Sequence, residues 1–219
     1  PRPRDARALV KAAAVIVNGA GLEGWLDRLI EASGTRAPVV VASDGIAWLP
    51  ATDTDLEIDH SGHSHDDHDH DPHGWQTVAN ARRYVKNIAA ALCAVDAPGC
   101  ALYDTNLNRY LQLLGELDQD IRAQIGKVPE ARRVAVTNHA AFRYFGKAYG
   151  VRFIAARGLS PSGQSRPATL ARLIETMRSQ SVTGMFLENV ANARLLEQLA
   201  RDTGARIGGT LYSDALTRS

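Results

Sequence analysis

The sequence predicts an α/β fold: parallel sheets flanked by helices in two halves of the chain, with one long helix between them. Three observations lead there. Short apolar runs without polar alternation, such as Val15-Ile16-Val17, mark strands buried on both faces, as in parallel sheets. After Pro129, strand-like and helix-like stretches alternate regularly, which calls for parallel strands with crossover helices. Between the halves, Thr105 to Gly126 puts Leu107, Tyr110, Leu111, Leu114, Leu117, Ile121 and Ile125 on one helical face. At ~1.5 Å per residue such a helix spans roughly 30 Å, long enough to bridge two lobes.

Taken in order, Asp5 to Ala14 reads as a helix and Val15 to Val17 as a buried strand. Gly19 and Gly21 punctuate the turn into a second helix, Leu22 to Ala32, and Pro38 to Val41 is a second buried strand. A polar loop of about 51–71 follows. Asp71-Pro72 is a helix-start signal that sets His73 in the first turn of the next helix. That helix carries Val78, Ala81, Val85, Ile88, Ala89 and Leu92 at three- and four-residue spacing. Beyond Pro129, strands are expected at 133–137, 151–155, 184–188 and 205–208, and helices at 140–149, 167–180 and 190–203. The expected organisation is a first lobe over 1–104, a linking helix over 105–127 and a second lobe over 128–219. Two strands do not make a stable open sheet by themselves, so further chain is expected ahead of Pro1 and the first lobe is expected to be truncated here.

Composition narrows the function classes. The 219 residues carry a formal net charge of +1. Eight acids and no Lys or Arg lie in 53–71, so the rest of the chain carries +9. Its arginines are dispersed along helices, with no basic cluster interleaved with aromatics, so nucleic-acid binding is not expected. No run of about 18 apolar residues suggests a transmembrane helix, and no signal peptide is visible. Cys93 and Cys100 flank Pro98-Gly99, a turn that brings the ends together. The pair reads as a local disulfide of an oxidising compartment, against the alternative of two reduced thiols in a cytosolic protein.

Six of the seven histidines fall between His60 and His73, interleaved with Asp66, Asp67, Asp69 and Asp71. Imidazole with carboxylate is a ligand set for a borderline divalent ion such as Zn²⁺. The stretch is nearly free of apolar residues and cannot form core, so it reads as a metal-handling loop rather than a plain solvated linker. Outside it, His139 follows the strand RVAVT at the start of the next helix, and Asp214 lies in a loop past the last strand. Ligands bind beyond the carboxyl ends of strands in open parallel sheets, so these two are expected to converge although they lie 75 positions apart. A lone histidine is more often a helix cap or a satisfied core residue, and Asp214 beside Ser213 could simply form a turn. Their shared edge and the metal-flavoured loop favour ligation. No Walker lysine loop or GxSxG elbow is present. Ser160-Pro161-Ser162-Gly163 reads as a loop. Glu188, at a strand end, is the one candidate for a hydrolase's acid or base and reads as structural.

The stretches NGAGLEGWLDRLIEAS, DPHGWQTVANARRYVKNIA, NLNRYLQLLGELD, VTNHAAFRYFGKAYGV and GGTLYSDAL, in this order, resemble the cluster A-I solute-binding proteins of ABC transporters, the periplasmic zinc and manganese receptors. The resemblance implies two α/β lobes joined by one rigid helix, with the metal in the cleft. It implies His73, His139 and Asp214 as the tight-site ligands, with a further histidine upstream of Pro1. Zinc members of the family have histidine where manganese members have a carboxylate, so His139 points to Zn²⁺. Arg166-Pro167-Ala168 departs from a common Glu-Pro-Ser, away from any ligand position.

The expected function is thus a non-enzymatic zinc receptor, periplasmic or lipid-anchored outside the cytoplasm. It would be a monomer that serves an ABC transporter permease, with a periplasmic zinc donor protein as a further expected partner. His60, His63, His65, His68 and His70 would form weaker secondary sites. Zinc affinity is expected to fall as pH drops below roughly 6 to 7. The competing readings are a zinc-dependent hydrolase and a manganese-binding or adhesin-like member of the same fold.

Overall fold

The computed structural model of the chain describes residues 2–51, 70–156, 167–180, 182 and 184–216. His60, His63, His65, His68, the stretch Ser160-Pro161-Ser162-Gly163 and Arg166 lie outside the described residues. Residues 2–48 and 70–119 gather into one compact unit, and 49–51 with 120–216 into a second. Among the described residues no helix is long and apolar enough to cross a membrane.

In the first unit, α1 (Pro3–Lys11) leads into β1 (Val15–Val17), α2 (Leu26–Ser33) and β2 (Val39–Val41). The strands pair in parallel, Val15 opposite Val39 and Val17 opposite Val41. β1 buries Val15 as expected. β2 does not behave as a strand covered on both faces, because Val39 and Val41 are 48% and 41% exposed at the edge of a two-stranded sheet. α2 starts four residues later than its periodicity suggests. Gly19, Ala20 and Gly21 all take positive φ, and Leu22, Gly24 and Leu26 close successive three-residue turns before the helix begins.

α3 (Val78–Val95) is capped by Thr77, whose hydroxyl accepts the Asn80 backbone N–H at 3.1 Å. It buries Val78 and Ala89. A short turn over Ala97–Gly99, held by the Asp96 carboxylate, then opens α4 (Cys100–Gly126) five residues before the expected start. Cys93 and Cys100 are joined in a disulfide, which pins the end of α3 to the first residue of α4. Of the expected α4 face, Leu114 is buried, but Tyr110 and Leu117 are about half exposed, so the covered stripe is narrower than the apolar one.

The second unit holds a four-stranded parallel sheet in the order β4-β3-β5-β6. These strands are β3 (Val134–Thr137), β4 (Arg152–Ala155), β5 (Gly184–Glu188) and β6 (Arg206–Leu211). Its helices are α5 (Arg143–Tyr149), α6 (Pro167–Ser179) and α7 (Arg194–Thr203). Gly150, at φ +69°, ends α5 in the left-handed conformation and lets β4 start within two residues. Val136, Ile154, Met185, Leu173, Met177, Leu196 and Leu199 form the core between one sheet face and α6 and α7. Residues 49–51 join this unit through the Tyr144 hydroxyl, which accepts the Leu49 N–H, and Arg143, which donates to the Pro50 carbonyl.

The strand order puts the carboxyl ends of β3, β5 and β6 side by side. The residues at and just past these ends are 138–140, 188–189 and 212–215. A second feature of the same unit is an apolar cavity of about 830 Å³ walled by Phe145, Phe153, Phe186 and their neighbours, none of them a His, Cys, Asp or Glu.

Candidate metal-binding site

In the second unit, His139 sits in the bend between β3 and α5, fully buried, rather than in the helix itself. Three neighbours fix that bend. The Thr137 hydroxyl donates to the His139 carbonyl at 3.0 Å. Asn138 accepts the Glu188 backbone N–H at 3.1 Å and donates to the Asn192 carbonyl at 3.3 Å. One Glu188 oxygen accepts the His139 backbone N–H at 2.8 Å, and the other lies 2.5 Å from ring Nδ1. On the far side of the ring, Nε2 lies 3.2 Å from a carboxylate oxygen of Asp214.

The loop that carries Asp214 is bracketed by the residue after Glu188. Asn189 accepts the Ser213 backbone N–H at 3.3 Å and donates to the Ala215 carbonyl at 3.1 Å. Two adjacent residues at the end of β5 therefore set the two loops on either side of it.

In the first unit, His73 is 1% exposed and stands just ahead of a single 3-10 turn, Gly74–Gln76. It is not in the first turn of α3, and Asp71 does not cap that helix. The Asp71 carboxylate turns instead onto His73: one oxygen accepts its backbone N–H at 3.0 Å and lies 2.7 Å from Nδ1. The backbone on both sides of His73 is pinned. Asn18 donates to the Pro72 carbonyl at 2.9 Å, and Asn80 donates to the Gly74 carbonyl at 2.8 Å. Asn18 is in turn held by the Tyr84 hydroxyl at 2.7 Å. His70 is exposed and stacks on Trp48, with ring centroids 5.7 Å apart.

The electrostatics of His139 follow from its two carboxylates. Burial pulls hardest and favours the neutral ring. The hydrogen bonds to Asp214 and Glu188, with their charges, outweigh it and raise the pKa from 6.5 to about 9. The space between Nε2 and Asp214 is thus arranged for a positive charge. With Zn–N and Zn–O bonds of ~2.0–2.2 Å, a tetrahedral ion shared by an imidazole and a carboxylate holds those atoms roughly 3.4 Å apart. The observed 3.2 Å fits a shared ion. Cys93 and Cys100 offer no thiolate, because their sulfurs are bonded to each other.

Asp71 is the residue whose part here sequence reasoning misread, as a helix cap; Glu188 was read as structural, and it holds the His139 backbone. Their signals were present: a carboxylate two positions ahead of His73, and one ending a buried strand.

The family described as the periplasmic component A of a zinc-uptake complex matches residues 1–219. The chain belongs to this family. Among curated relatives, the manganese-binding lipoprotein MntA of Halalkalibacterium halodurans is 32% identical over 99% of this chain and 67% of its own length. The iron-binding protein YfeA of Yersinia pestis is 30% identical over 99% of this chain and 66% of its own length. The chain thus spans about two thirds of the curated relatives it matches. The solved periplasmic zinc-binding protein TroA of Treponema pallidum superposes with a TM-score of 0.85 at 25% identity, covering all of this chain and 76% of that one. The family consists of substrate-binding receptors of metal ABC transporters, which are not enzymes, so the hydrolase reading falls.

Proposed function

We propose that the chain is the zinc receptor of an ABC-type importer. It works outside the cytoplasm, periplasmic or lipid-anchored, as a monomer. It captures Zn²⁺ through His73, His139 and Asp214 and delivers it to the membrane permease. The observation that carries this reading is His139: Nδ1 is committed to Glu188, and Nε2 faces Asp214 at a separation that suits a shared ion. Two imidazoles with one carboxylate favour zinc over manganese, which prefers oxygen ligands. His60, His63, His65, His68 and His70 act as weaker sites that collect zinc or receive it from a donor protein, and their acidic neighbours raise the local cation concentration.

A competitive titration with a chromophoric chelator tests the reading, with the parent and its His139→Ala variant side by side. One tight zinc site in the parent, lost in the variant while weaker binding persists, is the expected result. Variant binding equal to the parent's would remove the site's central support. Manganese binding is the second reading, favoured by the manganese-binding relative at 32% identity. Manganese that competes with zinc at equal concentration for the same site would decide in its favour.

A further inference from the structure

The two histidines of the proposed site are gripped alike, in separate units and by unrelated local structure. In each, a buried carboxylate takes the histidine's own backbone N–H and also faces Nδ1 of the same ring. Asp71 is fully buried and Glu188 is 3% exposed. Burying a carboxylate is costly, and each of these two meets one histidine at both its backbone and its ring.

A carboxylate only accepts, so Nδ1 facing it must carry the ring's proton. A neutral imidazole has one such proton, and Nε2 is then left with its lone pair free. His139 faces a carboxylate at each nitrogen, Glu188 at 2.5 Å from Nδ1 and Asp214 at 3.2 Å from Nε2, and only the Glu188 carboxylate also takes the residue's own backbone N–H.

We propose that Asp71 and Glu188 are positioning residues of metal capture, each fixing its histidine's ring plane and its tautomer so that Nε2 is presented to the ion. This rests on the reading of His73 and His139 as ligands. A plain bracing role would be served by the backbone contact alone, and the two carboxylates separate the possibilities because they use their oxygens differently. Glu188 spends one oxygen on the backbone and the other on the ring. Glu188→Gln keeps the length and an oxygen for the backbone N–H, but turns an NH₂ toward Nδ1. The ring can meet that donor only by moving its proton to Nε2, the atom the ion needs. Asp71 uses a single oxygen for both contacts, so Asp71→Asn retains the acceptor on both.

The expected outcome is asymmetric. Glu188→Gln weakens zinc about 10- to 100-fold, the usual loss when the partner of a ligating histidine is removed, while Asp71→Asn stays within a few-fold of the parent. A Glu188→Gln variant that binds as the parent does would overturn the proposal and leave Glu188 as a brace. The tautomer is also read without metal, from histidine ring ¹⁵N shifts of the metal-free parent at a pH where those shifts show the ring to be neutral. A proton on Nδ1 of His139 supports the proposal, and a proton on Nε2 overturns it whether or not any variant folds. Absence of a tight site in the parent would instead remove the receptor reading, and the ¹⁵N result would still decide the tautomer.

Discussion

His139 and Asp214, 75 positions apart in the chain, meet with Nε2 and the carboxylate oxygen 3.2 Å apart at the end of the second unit's sheet. The contact follows from strand order. β3 and β6 both neighbour β5, so the loops that leave them flank the same strand end, where Glu188 and Asn189 hold one each.

The pH dependence follows from that contact. His139 has a folded pKa of about 9 against 6.5 in the unfolded chain. A raised value means the folded state holds the proton more tightly. The stabilisation is therefore complete below about 6.5 and is lost as pH rises through about 9. Urea unfolding of the metal-free protein should show stability falling across that window, with a flatter profile in His139→Gln. Stability that rises across it would contradict the assignment. Metal must also displace this proton, so proton competition at His139 extends to about 9 rather than ending at the histidine range expected from sequence.

The disulfide should contribute measurably to the first unit. Cys93 and Cys100 are seven positions apart, and loop-closure entropy for so short a loop gives about 2 to 3 kcal/mol. Replacing both with serine should lower the unfolding free energy by about that amount. An unchanged denaturation midpoint would show that the turn closes without the bond.

Core position should separate two leucines that the sequence presents alike. Leu196 is fully buried among Met185, Leu173 and Leu199, so Leu196→Ala should cost about 2–5 kcal/mol. Leu117 is 47% exposed, so Leu117→Ala should stay within about 0.5 kcal/mol. Paired chemical denaturation of the two variants measures both, and equal losses would mean the α4 stripe is covered after all.

Deleting residues 60–70 addresses the histidine loop. Loading at limiting zinc should slow while the tight site's equilibrium affinity stays as it was. Stopped-flow competition with a fluorescent chelator reads both quantities, and an unchanged loading rate would deny the loop a collecting role.

Much of this molecule was legible locally. The strands fell within three residues of their predicted bounds, β1 and β5 at them, because short runs rich in apolar and β-branched residues bounded by turn signals favour the extended chain. The cysteine turn was legible for the same kind of reason: its ends close over a few residues. Several helix starts were not, although α6 begins at Pro167 as expected. α2 waits for the glycine turns at Gly19–Gly21 to finish, α4 gains a turn from Asp96 and the disulfide, and His73 precedes α3 because Asp71 bonds to His73 instead of capping the helix. Each of these is a competition between two local hydrogen-bonding options, and composition does not say which wins.

By itself, the sequence determined the approximate strand positions and the edge of the sheet at which His139 and Asp214 would fall. Tertiary structure alone decided which carboxylate faces which imidazole nitrogen. Glu188 reaches Nδ1 and Asp214 reaches Nε2 because β5 lies between β3 and β6. Strand order is a property of non-local pairing, carried by no single segment of the chain.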